Sequence, residues 1–360
     1  MAPFSSPNGR DVGVAWDFPD FDDHEGVHLF RDSKSGLDAV IAIHSTALGP
    51  AAGGARFWHY PRSNDAITDA LRLSRGMSYK NAMAGLPLGG GKAVLLANAE
   101  RTKTPAMLAA FGRAVDSLGG RYVTAEDVGI SATDMVAISK QTRYVSGLPV
   151  EKGNAGGDPG PFTAMGVYLG VKAAAKRALG KADMAGVHVA IQGVGSVGGG
   201  LARLLAKDGA KLTIADFDGA KAKALAEELG ATAIDKDAIM TVEADILSPC
   251  ALGAVLTADS IAALRVPVVA GGANNQLATN EDGQRIHDRG ILFAPDYVIN
   301  AGGIINVALE YIGQGDQAEV EARIAKIPER LDQVWQESAE TGDPAAMVAD
   351  RIAQRLIGRF

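Results

Sequence analysis

Apolar and polar positions follow two periods along this chain, and each change of period predicts a change of element. Residues 38–46 (DAVIAIHST) read as a strand running into a Gly/Pro loop, LGPAAGGAR. Asn64 or Asp65 can cap a helix that reaches about Lys80, with Ile67, Leu71, Ser74 and Met77 along one face. AVLLAN (93–98) reads as a buried strand. Thr104 and Pro105 open a helix to about Leu118, since proline suits a first helical turn. YVTAED (122–127) is then a strand ending in two carboxylates.

A segment rich in Gly and Pro, GLPVEKGNAGGDPGP (147–161), follows and reads as a hinge or a site-lining loop. A long helix starts at Thr163. From Val187 the rhythm is regular: VHVAIQ, a helix over 196–208, KLTIAD, a helix over 219–229, then ADILSPC, VPVVAG and ILFAPD as short apolar strands. Such alternation predicts a parallel, doubly wound sheet. Past Gly303 the chain reads as helical, with an amphipathic stretch over 316–337. The expected fold is α/β with two domains. Residues 1–147 form an α/β substrate and catalytic domain, 148–339 a Rossmann domain, and helices 340–360 return to the first domain. The first fourteen residues, with Pro3, Pro7 and Gly9, read as a loose arm.

Composition narrows the function classes. A length of 360 residues suits about two domains. A net charge of −7 gives no electrostatic footprint for nucleic acid. No apolar run approaches the ~18 residues that would span a membrane, and the N-terminal residues lack a signal-peptide core. One cysteine forms neither an internal disulfide nor a zinc cluster, and six histidines show no ligand spacing. The expectation is a cytoplasmic protein with no metal and no membrane or nucleic-acid partner.

Gly193-Val194-Gly195-Ser196-Val197-Gly198 matches G-x-G-x-x-G between an apolar strand and a helix. The first glycine permits the tight turn, the second lets backbone meet a pyrophosphate, and the third lets helix pack on strand. Asp216 ends the next strand 23 positions after Gly193, near the spacing expected of the acid that holds the ribose hydroxyls. A carboxylate there repels a 2′-phosphate, and the following Phe217-Asp218 supplies no cation to welcome one, so NAD is expected over NADP. Asp218 reads as a helix N-cap.

The first half holds a different kind of signal. In GMSYKNAMAGLPLGGGK (76–92), Lys80 and Lys92 flank an uncharged, glycine-rich segment. Either lysine could be a solvated cation, Lys80 favoured at a helix end and Lys92 beginning a strand. Three glycines directly before Lys92 would instead let backbone crowd a bound molecule, in surroundings that lower a lysine pKa. Asp127 lies at the expected C-terminal end of a strand, where α/β sheets place their sites.

With TAEDVG, QGVGSVG, SPCALG, AGGANNQL and APDYVINAGG in the same order, these segments resemble the leucine/phenylalanine/valine branch of the amino-acid dehydrogenase superfamily that includes glutamate dehydrogenase, nearest its leucine-acting members. The resemblance runs from about residue 26 into the last helices. It implies interconversion of an L-amino acid, NAD⁺ and water with a 2-oxo acid, ammonium and NADH, by a homo-oligomer. By the same resemblance Lys80 would hold the substrate carboxylate. Lys92 would activate water and polarise the oxo-acid carbonyl, and Asp127 would shuttle protons to the substrate nitrogen. Asn274 and Asn275 would contact the substrate and the cofactor ribose, unless they simply form a turn. Thr163 is a candidate partner for the nicotinamide amide and equally a good N-cap. Cys250 reads as a packed apolar residue.

The resemblance also places Ala52, Ala125, Ile304 and Val307 along the substrate side chain. All are apolar, which argues against a glutamate-type substrate. Ala52 is small and opens the pocket towards an aromatic ring, whereas Ile304 is bulky and closes it. Branched-chain or other medium aliphatic amino acids are expected. The alternative is phenylalanine or broad specificity, and a remote one is a non-catalytic NAD-binding regulator.

Overall fold

A computed structural model describes residues 17–359 except 19, 101, 150–152, 252 and 314; the expected loose arm over the first fourteen residues lies outside them. The chain divides into two units, one built from residues up to Ala82 and Pro87–Leu148, the other from Met83–Leu86 and Pro149 onward.

In the first unit β1 (Gly26–Asp32), β2 (Leu37–Ser45), β3 (Ala51–Trp58), β4 (Gly89–Leu96) and β5 (Tyr122–Ala125) form a mixed sheet in the order β1-β2-β4-β3-β5. β2 runs antiparallel to β1 and β4, while β3 runs parallel to both β4 and β5. Both faces of β2 are covered, which is why DAVIAI reads as a nearly unbroken apolar run. Ile41 and Ile43 pack with Phe111 of α2 (Pro105–Asp116) and with Met135 and Ile138 of α3 (Ala132–Ser139). Val40 and Ala42 pack on the other face with Ala66, Ala70 and Leu71 of α1 (Ser63–Met83). Thr104 caps α2 as expected, its side chain accepting from the Met107 N–H at 3.1 Å.

Two strands depart from the sequence expectation. β1 is an edge strand with Leu29 68 % exposed, so its apolar alternation is weak. The stretch expected to be a Gly/Pro loop is β3, at the heart of the sheet. A Cβ added at Gly53 would stand 1.9 Å from the Gly91 carbonyl oxygen, so this glycine marks strands pressed together and not a turn.

In the second unit α4 (Gly160–Leu179) leads into β6 (His188–Gln192), α5 (Ser196–Lys207), β7 (Lys211–Ala215), α6 (Gly219–Leu229) and β8 (Thr232–Ala233). The chain then crosses to β9 (Ile246–Pro249), followed by α7 (Ala258–Ala263), β10 (Val268–Val269), α8 (Asn280–Asp288) and β11 (Leu292–Phe293). The order β11-β10-β9-β6-β7-β8, parallel throughout, is that of a Rossmann sheet, with its switch point between β6 and β9. After α9 (Asp296–Ile299) come α10 (Gly302–Ile312), α11 (Gln317–Ile324), α12 (Ile327–Thr341) and α13 (Ala345–Leu356).

Gly156, in the Gly/Pro segment before α4, is docked on α10. Asn306 accepts from the Gly156 N–H at 2.8 Å and donates to the Gly156 carbonyl at 2.9 Å, a side chain imitating a strand partner. The closing helices, expected to return to the first domain, pack within the second unit instead. Trp335 of α12 donates to the Phe293 carbonyl at 2.8 Å, Glu337 pairs with Arg351 and Arg355, and Asp350 accepts from Tyr297 at 2.7 Å. The buried stripe of α13, Val348, Ala349, Ile352 and Ala353, leaves it one apolar face, and α12 and α8 take it.

Candidate active site

α1 lies directly on β4. The contact is so close that a Cβ at Gly90 would stand 2.0 Å from the Ser78 nitrogen. Lys80, half-buried in the last turn of α1, and Lys92 of β4 each stand two residues beyond this contact. The glycines before Lys92 were expected to make room for a ligand. Those at 90 and 91 make room for the protein itself, Gly90 for α1 and Gly91 for the Tyr122 ring, whose Cδ2 would be 2.7 Å from an added Cβ. Asn81 adds a tie, donating to the Gly89 carbonyl at 2.6 Å.

Lys92 does not begin its strand. It is the fourth residue of β4, opposite Ala42, and only 6 % exposed. Its Nζ lies 2.7 Å from Oδ2 of Asp127, just past β5. Burial pulls the Lys92 ammonium below the ordinary lysine range, more strongly than the Asp127 charge restores it. Burial presses the Asp127 carboxyl upward, but the charges of Lys92 and Arg56 outweigh it and hold the group below its usual value. A lysine that gives up its proton readily beside a carboxylate kept ionised is an acid/base pair.

Sequence reasoning missed the residues behind this pair. Arg56 of β3 reaches Asp127 Oδ2 through Nε at 3.2 Å and Asp69 Oδ2 through a terminal nitrogen at 2.9 Å. Asp69 also accepts from Tyr60 at 2.6 Å and Arg72 at 2.8 Å. The available signal was Arg56 itself, a lone cation in the apolar stretch GPAAGGARFW.

In the second unit the G-x-G-x-x-G segment turns from β6 into α5. Gly193 has φ +90° and donates to the Ala215 carbonyl at 2.7 Å. A Cβ at Gly198 would stand 1.9 Å from the Gly193 carbonyl oxygen, whereas one at Gly195 would meet nothing within 4 Å. The third glycine therefore closes helix on strand, and the second leaves open space where a pyrophosphate could approach backbone. Ser196 and Val197 begin α5, and Val194 donates its N–H to Asp216 Oδ2 at 2.7 Å. The Asp218 N–H holds the other carboxylate oxygen of Asp216 at 2.9 Å. Both bonds aim Asp216 beside the turn and leave lone pairs for ribose hydroxyls, so these residues fit a dinucleotide. Asp218 caps α6 as expected, and Phe217 is 91 % exposed.

Asn274 and Asn275 follow β10 at the C-terminal end of the sheet, both exposed, Asn275 with φ +52°. Asn300, also not singled out from sequence, is buried and donates to Asn274 Oδ1 at 2.7 Å. Thr163 is not the N-cap of its helix. α4 starts three residues earlier at Gly160, and the Thr163 hydroxyl donates back to the Pro159 carbonyl at 2.9 Å. Cys250 packs beside Gly198 and Gly272, and burial pushes its thiol up. Ala52 is buried in β3, Ala125 half-buried at the end of β5, and Ile304 and Val307 lie one turn apart on α10.

A Rossmann turn with an acid at the end of the next strand, and a lysine–aspartate pair whose lysine is buried, are features of a nucleotide-dependent oxidoreductase. Comparison with known proteins narrows the class. A family model described as "Glu/Leu/Phe/Val dehydrogenase, dimerisation domain" matches residues 24–144, and one described as "Glutamate/Leucine/Phenylalanine/Valine dehydrogenase" matches 218–357. The chain is 47% identical over 338 residues to a leucine dehydrogenase of Bacillus subtilis, covering 94% of this chain and 92% of that protein. It is 47% identical to a valine dehydrogenase of Streptomyces virginiae, covering 92% and 93%. The crystal structure of an L-tryptophan dehydrogenase from Nostoc punctiforme matches with a TM-score of 0.83 at 40% identity, covering 93% and 96%. The chain belongs to the glutamate/leucine/phenylalanine/valine dehydrogenase family. It is an NAD-dependent amino-acid dehydrogenase. No helix among the described residues is long and apolar enough to cross a membrane.

Proposed function

We propose that the enzyme interconverts a branched-chain or other medium aliphatic L-amino acid with its 2-oxo acid and ammonium, as a cytoplasmic homo-oligomer. The first unit carries the acid/base chemistry and the second the cofactor. The 2.7 Å pairing of the buried Lys92 with the half-buried Asp127 carries this reading. Lys80 fixes the substrate carboxylate, and Asn274 and Asn275 steady its amino end. Asp127, kept ionised, takes a proton from the substrate ammonium so that the nitrogen lone pair can form the C=N bond as hydride leaves Cα. The 193–198 turn and Asp216 would hold NAD, which would supply the hydride acceptor when bound. Lys92, readily neutral, removes a proton from the water that adds to that carbon. Asp127 then returns that proton to nitrogen, and the C–N bond breaks as the hydroxyl proton passes to the departing ammonia, so the carbonyl forms and ammonium leaves; Lys92 gives up to solvent the proton it took from water. One amino acid, one water and one NAD⁺ become one 2-oxo acid, one ammonium, one NADH and one proton.

The leucine and valine dehydrogenases among the relatives, at 45–47% identity, and the apolar set Ala52, Ala125, Ile304 and Val307 support an aliphatic side chain. The small Ala52 favours a second reading, phenylalanine or broad specificity. The family model named for dimerisation, matched over 24–144, supports the homo-oligomer.

Initial rates of NADH formation with Leu, Val, Ile, Met and Phe, each with NAD and NADP, test the proposal. The aliphatic substrates should lead in kcat/KM, with NAD preferred. NADH from none of them overturns the reading, and a lead by Phe selects the second one. Lys80→Ala should raise the amino-acid KM about 10–100-fold, the cost of one charge-assisted hydrogen bond. An unchanged KM would remove Lys80 from carboxylate binding.

A further inference from the structure

Asp127 does not rest on Lys92 alone. The Arg56 guanidinium reaches the same carboxylate oxygen, Oδ2, so two cations converge on one edge of Asp127 at 2.7 and 3.2 Å. Arg56 is itself pinned from behind. Its second prong meets Asp69 on α1, and Asp69 is saturated by Arg72 on one oxygen and by Tyr60 and Arg56 on the other. A planar fork bonded at both prongs has one orientation. A lysine at position 56 would be a point charge able to hold only one partner firmly. Surface pairing does not explain this chain of contacts, because the Arg56 side chain is only 23% exposed and that of Asp69 13%.

We propose that Arg56 is a positioning residue for the dehydrogenase reaction: braced by Asp69, it fixes the orientation of Asp127 beside Lys92. This rests on the roles given to Lys92 and Asp127 above and adds to them a residue that touches neither substrate nor cofactor. Lys92 from β4, Arg56 from β3 and Tyr122 from β5 face Asp127, Asp69 from α1 faces Lys92 and Arg56, and Glu126 is adjacent to Asp127 in the chain. Among them Arg56 acts on both members of the pair in one sense. Its charge lowers Asp127, and it also lowers Lys92. Losing that charge therefore raises both, so the pH at which Asp127 is ionised and Lys92 neutral moves up. The two titrations are coupled, and the limb that moves belongs to the pair.

The test uses the full-length enzyme with Arg56→Gln and Arg56→Lys, read by kcat against pH, NAD affinity by fluorescence titration, and Tm. For Arg56→Gln, kcat should fall about 10²-fold, the scale of a misplaced catalytic group. The acid limb should move up by about 1–3 pH units, with NAD affinity unchanged. Arg56→Lys restores the charge without the fork, so its limb should return towards the parent while kcat stays low. The proposal fails if kcat and limb in Arg56→Gln match the parent, or if activity and Tm fall together with the limb unmoved, the mark of a merely structural brace. Should Arg56→Gln not accumulate as folded protein, Arg56→Lys decides alone: parental kcat overturns the proposal, and lowered kcat at parental Tm supports it. Asp127→Asn separates the two layers. If that variant turns over normally the underlying roles are wrong, whereas an inactive Asp127→Asn beside a fully active Arg56→Gln sinks only the positioning role.

Discussion

Replacing Asp127 by asparagine should lower kcat by about 10²–10⁴-fold, the usual contribution of a positioned acid/base, with NAD affinity within a few-fold of the parent. The substitution keeps the shape of the side chain and removes only the group that takes and returns protons at nitrogen. It also strips Lys92 of the anion 2.7 Å away, leaving it buried with Arg56 close behind. Asp127 raises the proton affinity of Lys92 while burial and Arg56 lower it, so Lys92 should lie lower still in the variant. The acid limb of its residual activity should consequently move to lower pH, opposite to the shift expected for Arg56→Gln. Opposite shifts from two substitutions on one ion-pair chain are hard to produce by general loosening. A kcat within tenfold of the parent, with normal NAD binding, would falsify the proton-shuttle role.

The second large effect is on stability. Gly90→Ala should destabilise the enzyme by about 3 kcal/mol or more, because overpacking a contact made by backbone leaves nothing that can rotate away. The added methyl would stand 2.0 Å from the Ser78 nitrogen and 2.3 Å from its Oγ, the atom that pairs with buried His44 at 2.7 Å. Helix α1 would have to lift from β4 and carry Lys80 with it. At the usual ~2–4 °C per kcal/mol for a unit of this size, Tm should drop on the order of 10 °C, with the amino-acid KM rising in parallel. Gly76→Ala is the internal control. It sits on the same helix with nothing within 4 Å of an added Cβ, so it should gain up to about 1 kcal/mol from helix propensity. Equal melting temperatures for the two variants would remove the close α1–β4 contact as a determinant of stability.

The second unit was almost wholly legible in the sequence, because its rules are local. G-x-G-x-x-G between strand and helix, an acid at the end of the next strand, and short apolar strands at regular spacing locate the parallel sheet and the place of Asp216 beside its turn. The first unit was less so, because its determinants are contacts between distant segments. Glycine in β3 and β4 carries two opposite meanings, a turn or a place where backbones press together, and only the fold decides between them. Lys92 and Asp127 could be named one by one, but their meeting brings together residues 35 positions apart in sequence. Arg56 drew no notice because an arginine in a loop needs no explanation, and it acquires one only once its segment proves to be a central strand. The closing helices were misplaced for a similar reason: an amphipathic pattern shows that a face must be covered, not which surface covers it.

The strand order of the first unit has a bearing on how the enzyme is made. β3 leaves the ribosome before either of its neighbours, since β4 follows a 21-residue helix and β5 comes later still. Its glycine-rich backbone must wait unpaired until Gly89–Leu96 and then Tyr122–Ala125 emerge on its two sides. Parallel pairings of this kind close long loops before they are rewarded. Arg56 and Ala52 thus ride on a segment locked in only when synthesis has passed residue 125, so the acid/base centre is among the last parts of its unit to mature. A nascent chain stalled short of that point would expose an apolar strand with both edges open to a neighbouring chain.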